Sequence, residues 1–309
     1  MKCPTCKKSN VIKKGKRKTQ YQIKQRYLCK DCGKKFTENG KINNKKYPIK
    51  VIYSAINFYN LGYNYKEVSN KINKKYKIKT SKSTIHNWIH EFKHLSPMIK
   101  KRDKIINYDQ VIFSKYFDSD ILEYEFMYHK YKADTILKQN YPQLLKYLGY
   151  FEKKDPELID IIDSISDKPK FRIEVKPLKY SSFATEMADF ASQAKYADKT
   201  LHNLVERFML VNDEHTIACE LPVWYYDKKR NIGITGQIDI LQIKNDLVYI
   251  LDYEPDLDNM ISSPWELYHY AIALSFRANI NPKKIRCAWF NENDYYEYSP
   301  HEYSIYSEK

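Results

Sequence analysis

The 309-residue sequence predicts a multidomain α+β protein, and three observations predict it. Two C-x2-C pairs stand 22 residues apart near the amino terminus, apolar residues recur at helical spacing over 47–93, and β-prone runs fill the last third. The boundaries that follow are a ribbon over 1–41, a three-helix unit over 45–95, a helical connector over 100–170 and an α/β unit over 171–309.

The charge is divided along the same lines. Residues 1–104 hold 29 Lys+Arg against 5 Asp+Glu, a balance of +24, whereas the remainder holds 24 against 33, a balance of −9. Such asymmetry predicts a basic module that meets a polyanion, joined to an acidic module with another task. A lysine-rich solvated surface is the plainer reading. No apolar run reaches the length of a membrane span and the start "MKCPTCKKSN" has no apolar leader, so the sequence predicts a soluble, cytoplasmic protein without a membrane partner. The abundance of lysine, asparagine, isoleucine and tyrosine carries no function by itself.

Cys3, Cys6, Cys29 and Cys32 form C-x2-C-x22-C-x2-C, the spacing of two thiolate knuckles around one tetrahedral Zn2+. Gly33 follows the second knuckle where a tight turn requires positive φ. The run "YQIKQRYLC" alternates like a strand. Two disulfides are the competing reading, which an intracellular location disfavours. A segment of roughly 40 residues buries too little surface to fold alone, so the metal would supply most of its folding free energy. Cys219 and Cys287 stand isolated among apolar residues and read as buried structural thiols.

Three helices are predicted next. "YPIKVIYSAINFYN" opens with Pro48 and places Ile49, Ile52, Ala55, Ile56 and Tyr59 on one stripe; "YKEVSNKINKKY" contributes Val68 and Ile72; "TIHNWIHEF" contributes Ile85, Trp88, Ile89 and Phe92, with Ser83 as its N-cap. This suits a helix-turn-helix whose last helix offers Lys82, Ser83, His86, Asn87 and His90 to DNA. A small helical packing module is the alternative. Ribbon and helices together, through "CPTC", "QRYLCKDCGKKF" and "SKSTIHNWI", resemble the DNA-binding end of prokaryotic insertion-sequence transposases. The resemblance covers residues 3 to about 95 and implies recognition of element termini. The dispersed acidic triad of a transposase catalytic domain does not follow after residue 100.

Between 100 and 170, "YPQLLKYLGYF" and "PELIDIIDSI" read as helices of a supporting connector. Further on, "GITGQIDILQIK" and "DLVYILDYE" are β-prone runs joined by "ND", a two-residue hairpin loop. With Asn245 and Asp246 at the tip, Asp239 faces Asp252. Opposed side chains lie roughly 5 Å apart, where like charges repel. Alternation puts Glu254 on the face of Asp252, about 7 Å along. Three carboxylates there would favour one hard cation, Mg2+ or Mn2+. A solvated acidic face is the bland reading, which the apolar run "LVYIL" disfavours.

The glycine-preceded aspartate of "GQID", the hairpin and "DYE" resemble the RecB-like branch of the PD-(D/E)XK nucleases over roughly 171–300. The resemblance implies an α/β core with a mixed sheet and metal-assisted phosphodiester hydrolysis. It assigns Asp239 and Asp252, with His202 or the Tyr253 carbonyl, to the ion, Glu220 to a further acid, and Glu266 and Tyr270 to the "WELYHYAIAL" helix. "KIRCAWFNENDYYEY" matches the closing strands. Glu254 stands where the family has lysine, so either Glu254 acts as a ligand or base, a lysine such as Lys195 or Lys199 reaches in, or hydrolysis has been lost. A second placement uses Glu174 and Lys176 in "FRIEVK", with Asp163 or Asp167 upstream. The sequence thus predicts a DNA-binding, metal-dependent nuclease of mobile-element, viral or defence context, with a homodimer admitted. A catalytically inactive DNA-binding regulator and a transposase are the alternatives.

Overall fold

The computed structural model describes residues 2–18, 20–21, 23–37, 46–105, 110–118, 123–155, 162–164, 178–179, 182–196, 199–227, 232–255 and 263–303. The amino-terminal strands β1 (Val11–Lys18), β2 (Ile23–Cys29) and β3 (Lys35–Thr37) form an antiparallel sheet in that order. β1 turns its lysines and Arg17 to solvent, so this little sheet contributes charge and almost no core.

Three helices follow: α1 (Ile49–Asn60), α2 (Tyr65–Tyr76) and α3 (Lys82–Glu91). Pro48 precedes α1, where its missing N–H costs nothing. Asn64 and Glu67 close a capping box at the start of α2. Ser81, not Ser83, caps α3: its hydroxyl accepts from the Thr84 amide at 3.2 Å. The helix starts one turn earlier than the apolar stripe suggests, because the cap serves the Thr84 amide, which has no carbonyl partner within the helix. Val68, Ile72, Ile85, Trp88, Ile89 and Phe92 are buried together, as their spacing requires.

Residues 100–170 are not simply a helical connector. β4 (Ile112–Asp118) and β5 (Glu123–His129) pair antiparallel and join the main sheet. A helical run follows, made of α4 (Lys130–Lys132), a π-turn (Ala133–Leu137) and α5 (Lys138–Asn140), and then α6 (Pro142–Tyr150). Within "PELIDIIDSI", Ile162–Ser164 is strand β6, parallel to a later strand, and not helix. Aromatic and β-branched residues in "IFSKYFD" and "EYEFMYH" favour the pleated surface, and partners distant in sequence complete it.

The remaining elements are β7 (Leu178–Lys179), α7 (Phe183–Ser192), α8 (Leu201–Asn212), β8 (Thr216–Asp227), β9 (Ile232–Lys244), β10 (Leu247–Tyr253), α9 (Ser263–Ala278), β11 (Ile285–Phe290) and β12 (Tyr295–Tyr298). Among the described residues the main sheet has nine strands, running β4-β5-β8-β9-β10-β11-β12-β7 with β6 beside β9. It is mixed: β10 and β11 are parallel, connected through α9, while β8, β9 and β10 are antiparallel neighbours. Alternation sends Val248, Ile250, Cys287 and Trp289 to one face, against α6 and α9. Leu251, Tyr253, Ala288 and Phe290 go to the other, against α7 and α8. That second core also contains α1, α2 and α3, so the three-helix unit packs on the same layer that covers the sheet. Among the described residues no helix is long and apolar enough to cross a membrane.

Candidate metal centre and acidic cluster

The four amino-terminal cysteines meet. Cys3 and Cys32 place their sulfurs 3.6 Å apart, Cys6 and Cys29 3.5 Å, and all four lie within 4.8 Å of one another. Sulfurs around one tetrahedral Zn2+ at 2.3 Å stand roughly 3.8 Å from each other, which these spacings approach. The two knuckles repeat one backbone pattern. The Lys7 amide donates to Cys3 O and the Cys3 amide to Lys8 O; the Gly33 amide donates to Cys29 O and the Cys29 amide to Lys34 O. Lys7 at φ +60° and Gly33 at φ +70° occupy equivalent positive-φ positions. Backbone amides aimed at Cys3, first that of Cys6, hold its thiol down to about 6. The Lys8 and Lys34 amides are outweighed by burial and the neighbouring thiols, which push Cys6 up to about 12 and Cys32 up as well, a crowding of sulfurs that a bound cation would relieve. The four cysteines therefore fit a structural metal ion such as zinc. Cys219 and Cys287 are buried single thiols, donating to Glu206 O and Leu267 O.

The predicted hairpin register also holds. Leu247 pairs with Lys244 and Leu251 with Ile240, so the next pair outward is Asp252 with Asp239. Asn245 at φ +51° and Asp246 at φ +56° supply the two left-handed positions of a type I′ turn, and that two-residue turn leaves only one register. The amide of Tyr253 donates to Asp239 Oδ2 at 3.4 Å. Asp252 is buried and shares its face with the fully buried Ile250.

Glu220 on β8 approaches the same place from the other side of β9. Cys219 pairs with Ile240 and Leu221 with Ile238, which leaves Glu220 opposite Asp239. The alternation breaks there: Cys219 and Ile240 enter the core under α7 and α8, whereas Leu221 and Ile238 enter the core under α9. Glu220 takes up the change with φ +52°, a left-handed conformation that costs a non-glycine residue about 1–2 kcal/mol. Strain of this kind, in mid-strand and between carboxylates, is characteristic of functional positions.

A fourth acid completes the group, and the sequence reading missed it. Glu206 lies on α8 one turn after His202, is fully buried, and among the described residues neither carboxylate oxygen meets a hydrogen-bond donor. Burial first, then the charge of Glu220, pushes its carboxyl well above the ordinary range. Asp239 is raised by burial and by Asp252, Glu220 and Glu206 in that order. Glu220 is pushed up to about 7, chiefly by burial, and so is Glu266 in the first turn of α9, where Asp252 adds to the effect. Tyr270, one turn further along α9, is buried and its phenol raised by burial and by the same acids. The only visible signal for Glu206 was a glutamate set among Leu204, Val205, Phe208 and Met209, where a buried helix face allows no solvent.

The other expected residues are placed as follows. His202 sets its ring against Tyr253, centroids 5.3 Å apart and nearly perpendicular, and the Tyr253 hydroxyl donates to Glu292 at 2.6 Å. Glu254 lies just beyond the end of β10, half-buried, its amide bonded to Phe290 O. The charges acting most strongly on Asp239 are those of Asp252, Glu220 and Glu206. Lys195 and Lys199 are exposed. Of the second placement, Asp167, Glu174 and Lys176 lie outside the described residues, and Asp163 is described only as backbone in β6. Among the described residues only the cysteines bring three or more ligand atoms within 4.8 Å of one another, so the acids form a looser set than a closed cage. On α3, Lys82, Ser83, His86, Asn87 and His90 are all exposed, with the two histidine rings 4.2 Å apart.

No family model matches this chain, and neither a curated protein nor a solved structure matches it.

Proposed function

We propose that this protein is a metal-dependent DNA nuclease, held on DNA by its zinc ribbon and helix-turn-helix and cutting phosphodiester bonds at the acidic cluster. One observation carries the reading: the strand register sets Glu220 and Asp252 on either side of Asp239, and buried Glu206, which has no donor among the described residues, feels the charge of Glu220 and Asp252. Carboxylates buried without cations raise each other's pKa and destabilise the fold, and their hard oxygen atoms suit Mg2+ or Mn2+. Asp239, Asp252, Glu220 and Glu206 would hold the ion, with His202 and Glu254 at the margin. Such an ion supplies positive charge against the phosphate and acidifies water. Asp239 accepts from the Tyr253 amide, and half-buried Glu266 with buried Tyr270 stands on the α9 side, close enough to feel the charge of Asp252.

The exposed face of α3 and the lysines of β1 form the basic approach to DNA, bound mainly through phosphates and therefore sensitive to salt. Nicking of duplex or single-stranded DNA that requires Mg2+ or Mn2+, and disappears in Asp239→Ala and Asp252→Ala, is the expected result. A second reading has its own support. The charges weighing most on Asp239 and Glu206 are all negative and Glu254 replaces the family lysine, which suits a DNA-binding regulator that has lost hydrolysis. Absence of cleavage on single-stranded, duplex and branched DNA with either ion selects that reading.

A further inference from the structure

A tethered DNA-binding module would touch the rest of the chain lightly; α1 does the opposite. Its side chains interlock with α8, the helix that carries His202 and Glu206. The Tyr53 hydroxyl donates to Leu204 O at 2.9 Å, and its ring stacks on Phe208 at 5.2 Å. At the far end of both helices, Asn60 Nδ2 donates to Asn212 Oδ1 at 2.6 Å, and Asn212 Nδ2 donates to Asn57 Oδ1 at 2.6 Å. Ser96, in the turn after α3, bonds to Asn60 and donates to Asn212 Oδ1 at 3.4 Å. Asn60, Asn212 and Ser96 are all essentially inaccessible to solvent.

A third contact lies along α1. Ser54, Tyr76 and Tyr196 join their hydroxyls at 2.6–2.8 Å, binding α1 and α2 to the segment between α7 and α8. Phe92, at the end of α3, meets Phe190 of α7 at 5.1 Å, and Phe190 meets Phe208 of α8 at 5.0 Å. Among the described residues Asn60 Oδ1 has no donor, but the two amide bonds that do form hold in a single arrangement only, since sliding α1 along α8 would strand Asn212 Oδ1 and Asn57 Oδ1 as well. Apolar packing supplies affinity here, while the amide cluster supplies register.

We propose that α8 joins the recognition helices and the acidic cluster into one rigid body, so that cleavage falls at a single fixed offset from the bound sequence. This rests on the nuclease reading for its second clause only. α8 presents Asn212, Phe208 and Leu204 to α1 and Glu206 to the acids, so the position of α3 relative to Glu206 is set within one helix. Asn212 is thus a positioning residue, with no contact to the reacting atoms.

The test uses the full zinc-loaded chain. Sequences enriched from a random duplex library by binding would be end-labelled and incubated with Mn2+, and the cut positions mapped. Cuts confined to one or two adjacent phosphates are expected, and Asn212→Leu should spread them over several positions while DNA affinity stays within about twofold, because α3 is untouched. Hydrogen exchange on the same protein supplies a readout that needs no cleavage. Amides of α1 and α8 should be protected alike, within about threefold, as members of one cooperative unit. Cuts scattered at many distances in the parent, or α1 to α3 exchanging far faster than α8, would overturn the inference. Matched protection with no cleavage would leave the rigid body standing and remove the nuclease reading instead.

Discussion

Replacing Glu220 by glutamine should stabilise the metal-free acidic site at alkaline pH. In the folded chain this carboxyl is pushed from 4.5 up to about 7, first by burial and also by Asp252. The native state then holds a proton that the unfolded chain has released, so stability falls as pH rises from about 4.5 through 7, and the whole penalty is present above that. At 1.36 kcal/mol per pKa unit the shift corresponds to about 3 kcal/mol. Glutamine keeps the shape, the positive φ and the neighbours but cannot ionise. Allowing for partial solvent access, the variant should gain about 1–3 kcal/mol at pH 8, roughly 2–6 °C in Tm for a chain of this size. The assay is calorimetry at pH 5.5 and pH 8 on protein carrying one equivalent of zinc, without chelator and without Mg2+ or Mn2+. At pH 5.5, one unit above the unfolded value, less than half of the difference should remain, about 1 kcal/mol, and added Mn2+ should raise the parent more than Glu220→Gln. A lower Tm for the variant at pH 8, or a difference independent of pH, would refute the crowding of negative charge on which the site depends.

Other outcomes follow from particular contacts. Cys29→Ser should abolish stoichiometric zinc binding, read by metal analysis, and weaken DNA binding, while far-UV signals of the helices persist because the main core lies elsewhere. His86→Ala combined with Lys82→Ala should lower DNA affinity and reduce the slope of log affinity against log salt by about one, as measured by fluorescence anisotropy. Lys132 is buried and donates to Leu210 O and Asp213 O at the end of α8, so Lys132→Met should cost about 2–4 kcal/mol in urea unfolding. Burial lowers this lysine from 10.5 to about 7; the parent should therefore gain stability from this group as pH rises from 7 towards 10, and the variant should not. Asn245→Val, which forces a β-branched residue to φ +51°, should cost about 1–2 kcal/mol by the same assay.

Local rules made parts of this molecule readable. The cysteine spacing set the knuckles, because turn geometry needs only the few residues between ligands. Helical spacing picked out the buried stripe of α3, and a two-residue turn with two left-handed positions determined that Asp239 would meet Asp252. The paired strands 112–118 and 123–129 went unread because β5 gains its second partner, β8, from 90 residues downstream or more. Ser81 and Ser83 are chemically alike, and only the helix start distinguishes them. Glu206 was hidden for a related reason: on α8 it resembles any surface glutamate until Cys219, Ile240 and the sheet close over it.

By itself the sequence determined the cysteine cluster, the three helices, the tight hairpin and the division of charge, which depend mostly on interactions between residues close along the chain. Tertiary structure decided the rest: that Glu206 and Glu220 join the opposed aspartates, that 112–118 and 123–129 extend the sheet, and that α1 locks onto α8. Those outcomes depend on burial and on buried polar groups finding partners from distant segments, free energies that exist only once the layers have packed.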